Sequence, residues 1–552
     1  MTRPIFRPAA LALALSASGF ALGALPADAA SLSQADTSAL VEKAGRALDV
    51  WDIVTATDAA EQLEKGDPDG VDSMEMRALV RFHQGRYAEA VKLLDLLRAK
   101  GRRDDKSEMV QLIRKTAIQT RDFVEKKGAH FTIKYRPGPD AILADWALET
   151  LEAQRAALEQ DLGYAPPENV PVEIYPEADR FATVTTLTRQ EIETTGTIAL
   201  CKFNKMMVTS PGALSFGYPW RDTLAHEYTH YVVARSTNNA VPIWLHEGLA
   251  KYEEVRWRRA TGGERSPTTD TVLAEALAKP YFVPLHKMHP SIAKLPTAFD
   301  ATLAFAEVEN LIGFCVERWK YEGIRTLLTG LRDKKPMDVA LLGAFGVGLE
   351  GLEVKWKENL AANPPKAHPD LQIMATALKD PKADADASGA SHKGLSDEAA
   401  DHLKLGDLLA SEVRLDAAVV EYRKARDAER ASAQKGHGPI FDYKIASTFI
   451  LANRWADAKK ALAPVIDTYP TYAPALKAMA KVEMNEGDPK RAKDLLERSL
   501  WLAPFDFEVY AMVAEACQKM GDDAGAKQWD ARYKKLLKIS NPQTPLAEKV
   551  TP

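Results

Sequence analysis

The chain has 552 residues, too many for one core, so two to four domains are expected. It is 46% hydrophobic and 27% charged, the balance of a soluble globular protein. A formal net charge of −5 offers no basic surface of the kind that binds nucleic acid, and that class of partner is excluded.

The N-terminus reads MTRPIFRPAALALALSASGFALGALPADAAS. Arg3 and Arg7 supply a positive start, an apolar run follows, and Ala27-Asp28-Ala29 fits a small-residue cleavage site. Residues 1–29 therefore read as a secretory signal peptide. The run is short for a spanning helix and no later stretch is long and apolar enough, so no stable membrane anchor is expected after cleavage. No cysteine lies near the cleavage site, which argues against a lipoprotein anchor. The mature protein is expected in a periplasm or outside the cell. Its three cysteines, Cys201, Cys315 and Cys517, are far apart and odd in number. One bridge, Cys201 to Cys315, is open, but buried free thiols are the preferred reading and no disulfide framework is expected.

Residues 31–125 read as helical. Within RALVRFHQGRYAEAVKLLDLLRAK, Gly85 and Ala90 stand five apart between two apolar-periodic runs, the helix–turn–helix spacing of a tetratricopeptide repeat. Two irregular repeats are expected there. The pattern changes near His130. Residues 130–135 and 170–175 alternate as strands, with a helix over 140–162 between them. Residues 195–209 read either as two strands with a turn near Asn204 or as one long edge strand.

Residues 222–254 read DTLAHEYTHYVVARSTNNAVPIWLHEGLAKYEE. His226 and His230 are four apart, which on a helix puts both imidazoles on one face. Glu227 completes an HExxH signature, in which two histidines bind zinc and the glutamate is the general base. Leu224, Tyr228 and Val232 form a packing stripe, and Asn238-Asn239 breaks the helix. A second helix is predicted from Pro242 or Ile243 toward Arg259. It carries Glu247, seventeen residues after His230, and so can bring a third ligand.

This pattern resembles the gluzincin metallopeptidases, in which the third ligand is a glutamate on the next helix. More narrowly, WLHEGLAKY resembles the WLxEGxAxY stretch of the peptidase-MA-like family. The resemblance implies a zincin-like α+β domain over 126–360 that holds one Zn2+ ion through His226, His230 and Glu247. It also implies an exported endopeptidase or aminopeptidase, with Glu227 activating a zinc-bound water, and an edge strand at 198–203 that pairs with a peptide substrate. His246 reads as a bystander pointing away from Glu247, and Asp222 as a helix cap in preference to a hydrogen-bonding partner within the site. Tyr252 and Glu254 are either supports of the site or ordinary packing and solvated charge. One departure stands out. In the stretch AFAEVENL, Phe305 occupies the place of an expected oxyanion-stabilising tyrosine, leaving Tyr281, His286 and His289 as alternative donors. That departure keeps open a catalytically inactive zincin-like domain in a binding scaffold, and a zinc hydrolase acting on other amides.

Residues 361–396 read as a linker, Pro-rich and then small and polar. From 397 to 540 the chain repeats. Asn453, Gly487 and Gly521 stand 34 apart, as do Ala458, Ala492 and Ala526, and Pro470 and Pro504. That period is the tetratricopeptide length, and such stacks hold peptides or proteins on a concave surface. Three clear repeats and one irregular one are expected, with a protein substrate or partner as their ligand. The fold class is therefore multidomain and mainly α, with the zincin-like domain between tetratricopeptide segments.

Overall fold

The computed structural model describes residues 31–102, 107–185, 187–188, 192, 196–369, 371–372, 395–432 and 438–540. Residues 1–29, read above as a signal peptide, and residues 379–393 of the expected linker lie outside these. No helix among the described residues is long and apolar enough to cross a membrane. The chain divides at Arg121/Asp122 into two compact units.

The first unit is helical: α1 (Gln34–Asp49), α2 (Ile53–Gly66), α3 (Val71–His83), α4 (Tyr87–Ala99) and α5 (Glu108–Gln119). The Ser33 and Asp52 side chains accept from Asp36 N and Thr55 N, capping α1 and α2. A core of small residues, Ala44, Ala47, Ala56, Ala59 and Ala60, lets α1 and α2 approach closely. Arg77 and Arg81 each reach Glu64 at 2.7 Å and tie α3 to α2. Consecutive helices pack as α1 with α2 and α3 with α4, the arrangement expected of two irregular repeats.

The second unit opens with β1 (Val124–Lys127), a strand that straddles the expected boundary between residues 125 and 126. The helices thus stop short of residue 125. β2 (Phe131–Tyr135) and β3 (Val170–Tyr175) flank α6 (Leu143–Leu162) in sequence, and β3 is followed by α7 (Ala178–Val184). The segment with two open readings forms two strands, β4 (Ala199–Lys202) and β5 (Lys205–Thr209), in antiparallel register. Phe203 and Asn204 join them, both at positive φ (57° and 56°), as a tight hairpin turn needs. The sheet order is β1-β2-β3-β5-β4. Its three central strands are parallel and its two outer ones antiparallel.

Two helices cross beside this sheet: α8 (Trp220–Ser236) and α9 (Ile243–Glu253). The predicted stripe is buried, with Leu224 and Val232 at 0% exposure and Tyr228 edge-on to Phe131 of β2. α8 ends before Asn238 and Asn239, both at positive φ. α9 is shorter than predicted and gives way to turns after Glu253, before reaching Arg259. α10 (Pro267–Ala278), α11 (Ala298–Arg332, broken at Lys320, φ 56°), α12 (Met337–Phe345) and α13 (Leu349–Ala362) follow.

Four helix pairs follow among the described residues: α14 (Asp397–Ser411) with α15 (Leu415–Ala431), α16 (Ile440–Leu451) with α17 (Trp455–Thr468), α18 (Ala473–Glu486) with α19 (Pro489–Leu502), and α20 (Phe507–Lys519) with α21 (Asp523–Ser540). They belong to the same compact unit as the sheet. Tyr218 N–H, just before α8, donates to Leu502 O at 3.0 Å. Trp501 packs edge-on to Trp257 at 5.9 Å, and the Arg221 guanidinium lies over the Trp257 ring at 4.0 Å. Arg221 also faces Trp146 of α6, whose ring Arg532 of α21 approaches. Rings and guanidinium groups thus form a continuous run from α19, past the start of α8, to α21.

Candidate metal centre

α8 and α9 cross so that His226, His230 and Glu247 converge, each offering a ligand atom within 4.8 Å of the others. His226 Nε2 is 3.5 Å from Glu247 Oε2, and His230 Nε2 is 3.3 Å from the same oxygen. A tetrahedral ion with ligands about 2.0–2.2 Å away separates neighbouring ligand atoms by about 3.3–3.6 Å, so these spacings fit one zinc ion. The three side chains keep 13–21% exposure, enough for a small group to reach them. Gly248 lets α9 pack closely on α11, since a Cβ there would meet Val308 O of α11 at 2.9 Å.

The electrostatics point the same way. Burial works against charge on His226, yet hydrogen bonds to Glu247 and Glu254 outweigh it and push its pKa up to about 10. Burial likewise opposes the Glu247 carboxylate, but the His230 and His226 imidazoles hold it far below its ordinary range. Glu227 is 7% exposed, and burial raises its carboxyl above the usual value against the pull of both imidazoles. Glu227, Glu247 and Glu254 thus surround the imidazoles with anions that call for a positive charge. A proton on His226 answers that demand in the metal-free site, and a dication would replace it.

The surrounding residues depart from the sequence reading in two places. Asp222 is not a cap. Pro219 holds the N-cap position, and Asp222 instead accepts from Trp257 Nε1 (2.8 Å), Arg258 Nε (3.0 Å) and Arg258 Nη2 (2.9 Å). It pins the start of α8 to the turn after α9. His246 is not a bystander. Its ring stacks on His230 with centroids 4.6 Å apart and Nδ1 to Nδ1 at 2.5 Å. The sequence signal was present, a third histidine next to the third ligand. The 100° turn between neighbours on one helix hid that a crossing helix can touch both.

Glu254 lies 3.2 Å from His226 Nδ1 and is itself held by Lys251. Burial opposes its charge, but Lys251 and His226 keep its carboxyl below the ordinary range. Tyr252 packs against the Gly262-Gly263 turn, away from this cluster. Phe305 is half-buried on α11 and has no donor. Of the alternative donors, the Tyr281 hydroxyl donates to Asp300 at 2.7 Å, and His286 and His289 are exposed. All three cysteines are free, so the Cys201–Cys315 bridge is absent.

β4 runs beside Glu227. Thr209 N donates to Ile198 O at 2.8 Å, and the register then pairs Leu200 with Met207 and Lys202 with Lys205. Cys201 therefore presents its backbone to the outer edge of the sheet formed by the described strands. Its N–H lies on that edge and helps to hold down the Glu227 carboxyl, whose pKa burial raises.

Comparison with solved structures finds MamA proteins. One, described as the crystal structure of MamA protein, is 18% identical, with a TM-score of 0.24, covering 27% of this chain and 79% of that one. MamA residues 41-end from Desulfovibrio magneticus RS-1 is 14% identical, with a TM-score of 0.22, covering 26% of this chain and 76% of that one. No curated protein matches. Among family models, residues 152–362 match the Peptidase MA superfamily, a span from α6 through α8 and α9 to the end of α13, and the chain accordingly carries a Peptidase MA superfamily domain.

Proposed function

We propose that this protein is an exported, zinc-dependent peptidase with a zincin-like domain that hydrolyses peptide bonds in a protein or peptide substrate. The observation that carries the reading is the convergence of His226, His230 and Glu247 with a buried carboxylate, Glu227, adjoining them beside β4. When bound, a zinc ion supplies Lewis acidity that polarises a carbonyl and makes water a nucleophile near neutral pH. His226, His230 and Glu247 would hold it. The β4 edge pairs with an extended peptide, which brings a scissile carbonyl beside Glu227. Glu227 takes the proton from the attacking water and delivers it to the leaving amide nitrogen. The N-terminal signal pattern supports export, and the helix pairs support a role in holding a protein substrate or partner.

The test uses purified protein lacking residues 1–29. One zinc per chain is expected by elemental analysis, lost in His230→Ala. Glu227→Gln should keep zinc and lose cleavage of a peptide library by about 10²- to 10⁴-fold. Cleavage by that variant at the wild-type rate would end the mechanism.

A second reading, a zinc-holding binding protein that does not cleave, is favoured by Phe305. With no donor on that side chain and the Tyr281 hydroxyl engaged by Asp300, oxyanion stabilisation worth about 10²–10³-fold lacks its usual source. It is the correct reading if the wild-type protein carries zinc yet a peptide library stays intact.

A further inference from the structure

We infer that His246 is a positioning residue for the metal site: it accepts a hydrogen bond from His230 Nδ1 and so determines which nitrogen of His230 faces the ion. The inference rests on the zinc reading above and deepens it.

The geometry supplies the argument. The two ring nitrogens of His230 face opposite partners on adjacent residues of α9. Nε2 lies 3.3 Å from Glu247 Oε2, and Nδ1 lies 2.5 Å from His246 Nδ1. Two imidazole nitrogens in contact need one proton between them, because two lone pairs repel and so do two N–H groups. A neutral imidazole has a single N–H. If His230 offers its Nε2 lone pair to a metal, its proton is on Nδ1, and His246 must accept it. His246 then carries its own proton on Nε2, away from the contact. Rotating the His230 ring by half a turn would put carbon in both places and forfeit both interactions. His246 thus opposes the misoriented ring as well as favouring the right one.

The two metal-facing histidines are consequently oriented by unlike groups. His226 Nδ1 faces a carboxylate, Glu254, which Lys251 anchors. His230 Nδ1 faces a neutral ring. A neutral acceptor withdraws less proton density than a carboxylate, so His230 is the weaker donor of the pair and depends more on being aimed correctly.

The experiment compares zinc affinity, by competition with a chromophoric chelator, for the full mature chain and three variants. His246→Asn places a carbonyl oxygen where Nδ1 stood. His246→Leu keeps bulk without an acceptor, and His246→Ala removes both. Asparagine should hold zinc within about threefold of wild type, while leucine and alanine should weaken it about 10- to 100-fold. Alanine against asparagine decides the matter should the leucine protein not fold. Folded leucine and alanine variants that bind zinc like wild type would overturn the inference, as would an asparagine variant as weak as leucine. If the wild-type protein itself takes up no zinc, the metal reading fails first, and His246 has nothing to position.

Discussion

Two sets of helix pairs lie in sequence on either side of the domain that carries the sheet and the His226, His230 and Glu247 cluster, and they pack differently. Helices α1–α5 close on themselves: an alanine core, one glutamate shared by Arg77 and Arg81, and a separate compact unit. Helices α14–α21 form one unit with the sheet. The turn between α3 and α4 is Gln84-Gly85-Arg86, polar and small, whereas the end of α19 and the turn after it carry Trp501 and Phe505. Phe505 reaches the Gly212 loop and Trp501 reaches Trp257. Large aromatic residues at the end of a repeat make it a wall of the neighbouring sheet domain.

The strongest way to break this comparison is to remove each set in turn. A chain lacking 397–552 loses the partners of Tyr218, Trp257 and Trp146, all beside α8. It should lose zinc and cooperative unfolding. A chain lacking 31–121 should keep both. Elemental analysis and thermal unfolding give the answer, and equal losses would erase the distinction.

A finer cut uses two glycines at positive φ. Gly217 (φ 67°) precedes α8, and a Cβ there would stand 1.9 Å from Leu502 O. Gly487 (φ 86°) lies inside the repeats with nothing within 4 Å of a Cβ. Alanine at either site costs about 1–2 kcal/mol for the backbone conformation. Gly217→Ala adds about 1–3 kcal/mol for displaced backbone. Denaturant unfolding should therefore rank Gly217→Ala well below Gly487→Ala. Equal stability of the two would mean that α19 does not press on this loop. A smaller effect comes from the ring pair. A double-mutant cycle on Trp257→Ala and Trp501→Ala should give a coupling of about 0.5–1.5 kcal/mol.

Local pattern revealed the elements, and long-range contact decided the rest. The 34-residue period, the β2 and β3 alternation and the α8 stripe are short-range signals, and each appears as an element in the structure. β1 was not legible because Val124–Lys127 has one apolar residue in four and gains its place from β2. The His226 and His230 pair was readable from spacing, and Glu247 joined it through the resemblance to the gluzincins. His246 and Asp222 were not, because each finds its partner on another element, at a crossing that no periodicity encodes. The same holds for Trp501 and Trp257, 244 positions apart in the chain, whose pairing follows from how α19 docks.

The weakest tie in the docked set tests whether charge contributes to it at all. Lys535 of α21 reaches Asp145 of α6 at 2.9 Å, with both side chains nearly half exposed. Burial would raise the Asp145 carboxyl, but hydrogen bonds from Lys126 and Lys535 prevail and set it below its ordinary 3.8. A carboxyl lowered on folding adds stability above its unfolded value, and that stability disappears as pH falls through the folded value. For so exposed a pair, solvent screening limits the contribution to about 0.2–1 kcal/mol. Lys535→Ala should thus lower stability slightly at pH 7 in dilute buffer. The deficit should shrink in 1 M salt, where the screening length is about 3 Å, and vanish once acid protonates Asp145. The matching pair of the first unit, Lys100 with Asp69 at 3.1 Å, has the more exposed carboxylate and closes within the first unit. Lys100→Ala should cost as little and leave zinc affinity untouched. A deficit for Lys535→Ala that survives both salt and acid would assign this contact to packing by the lysine stem rather than to charge.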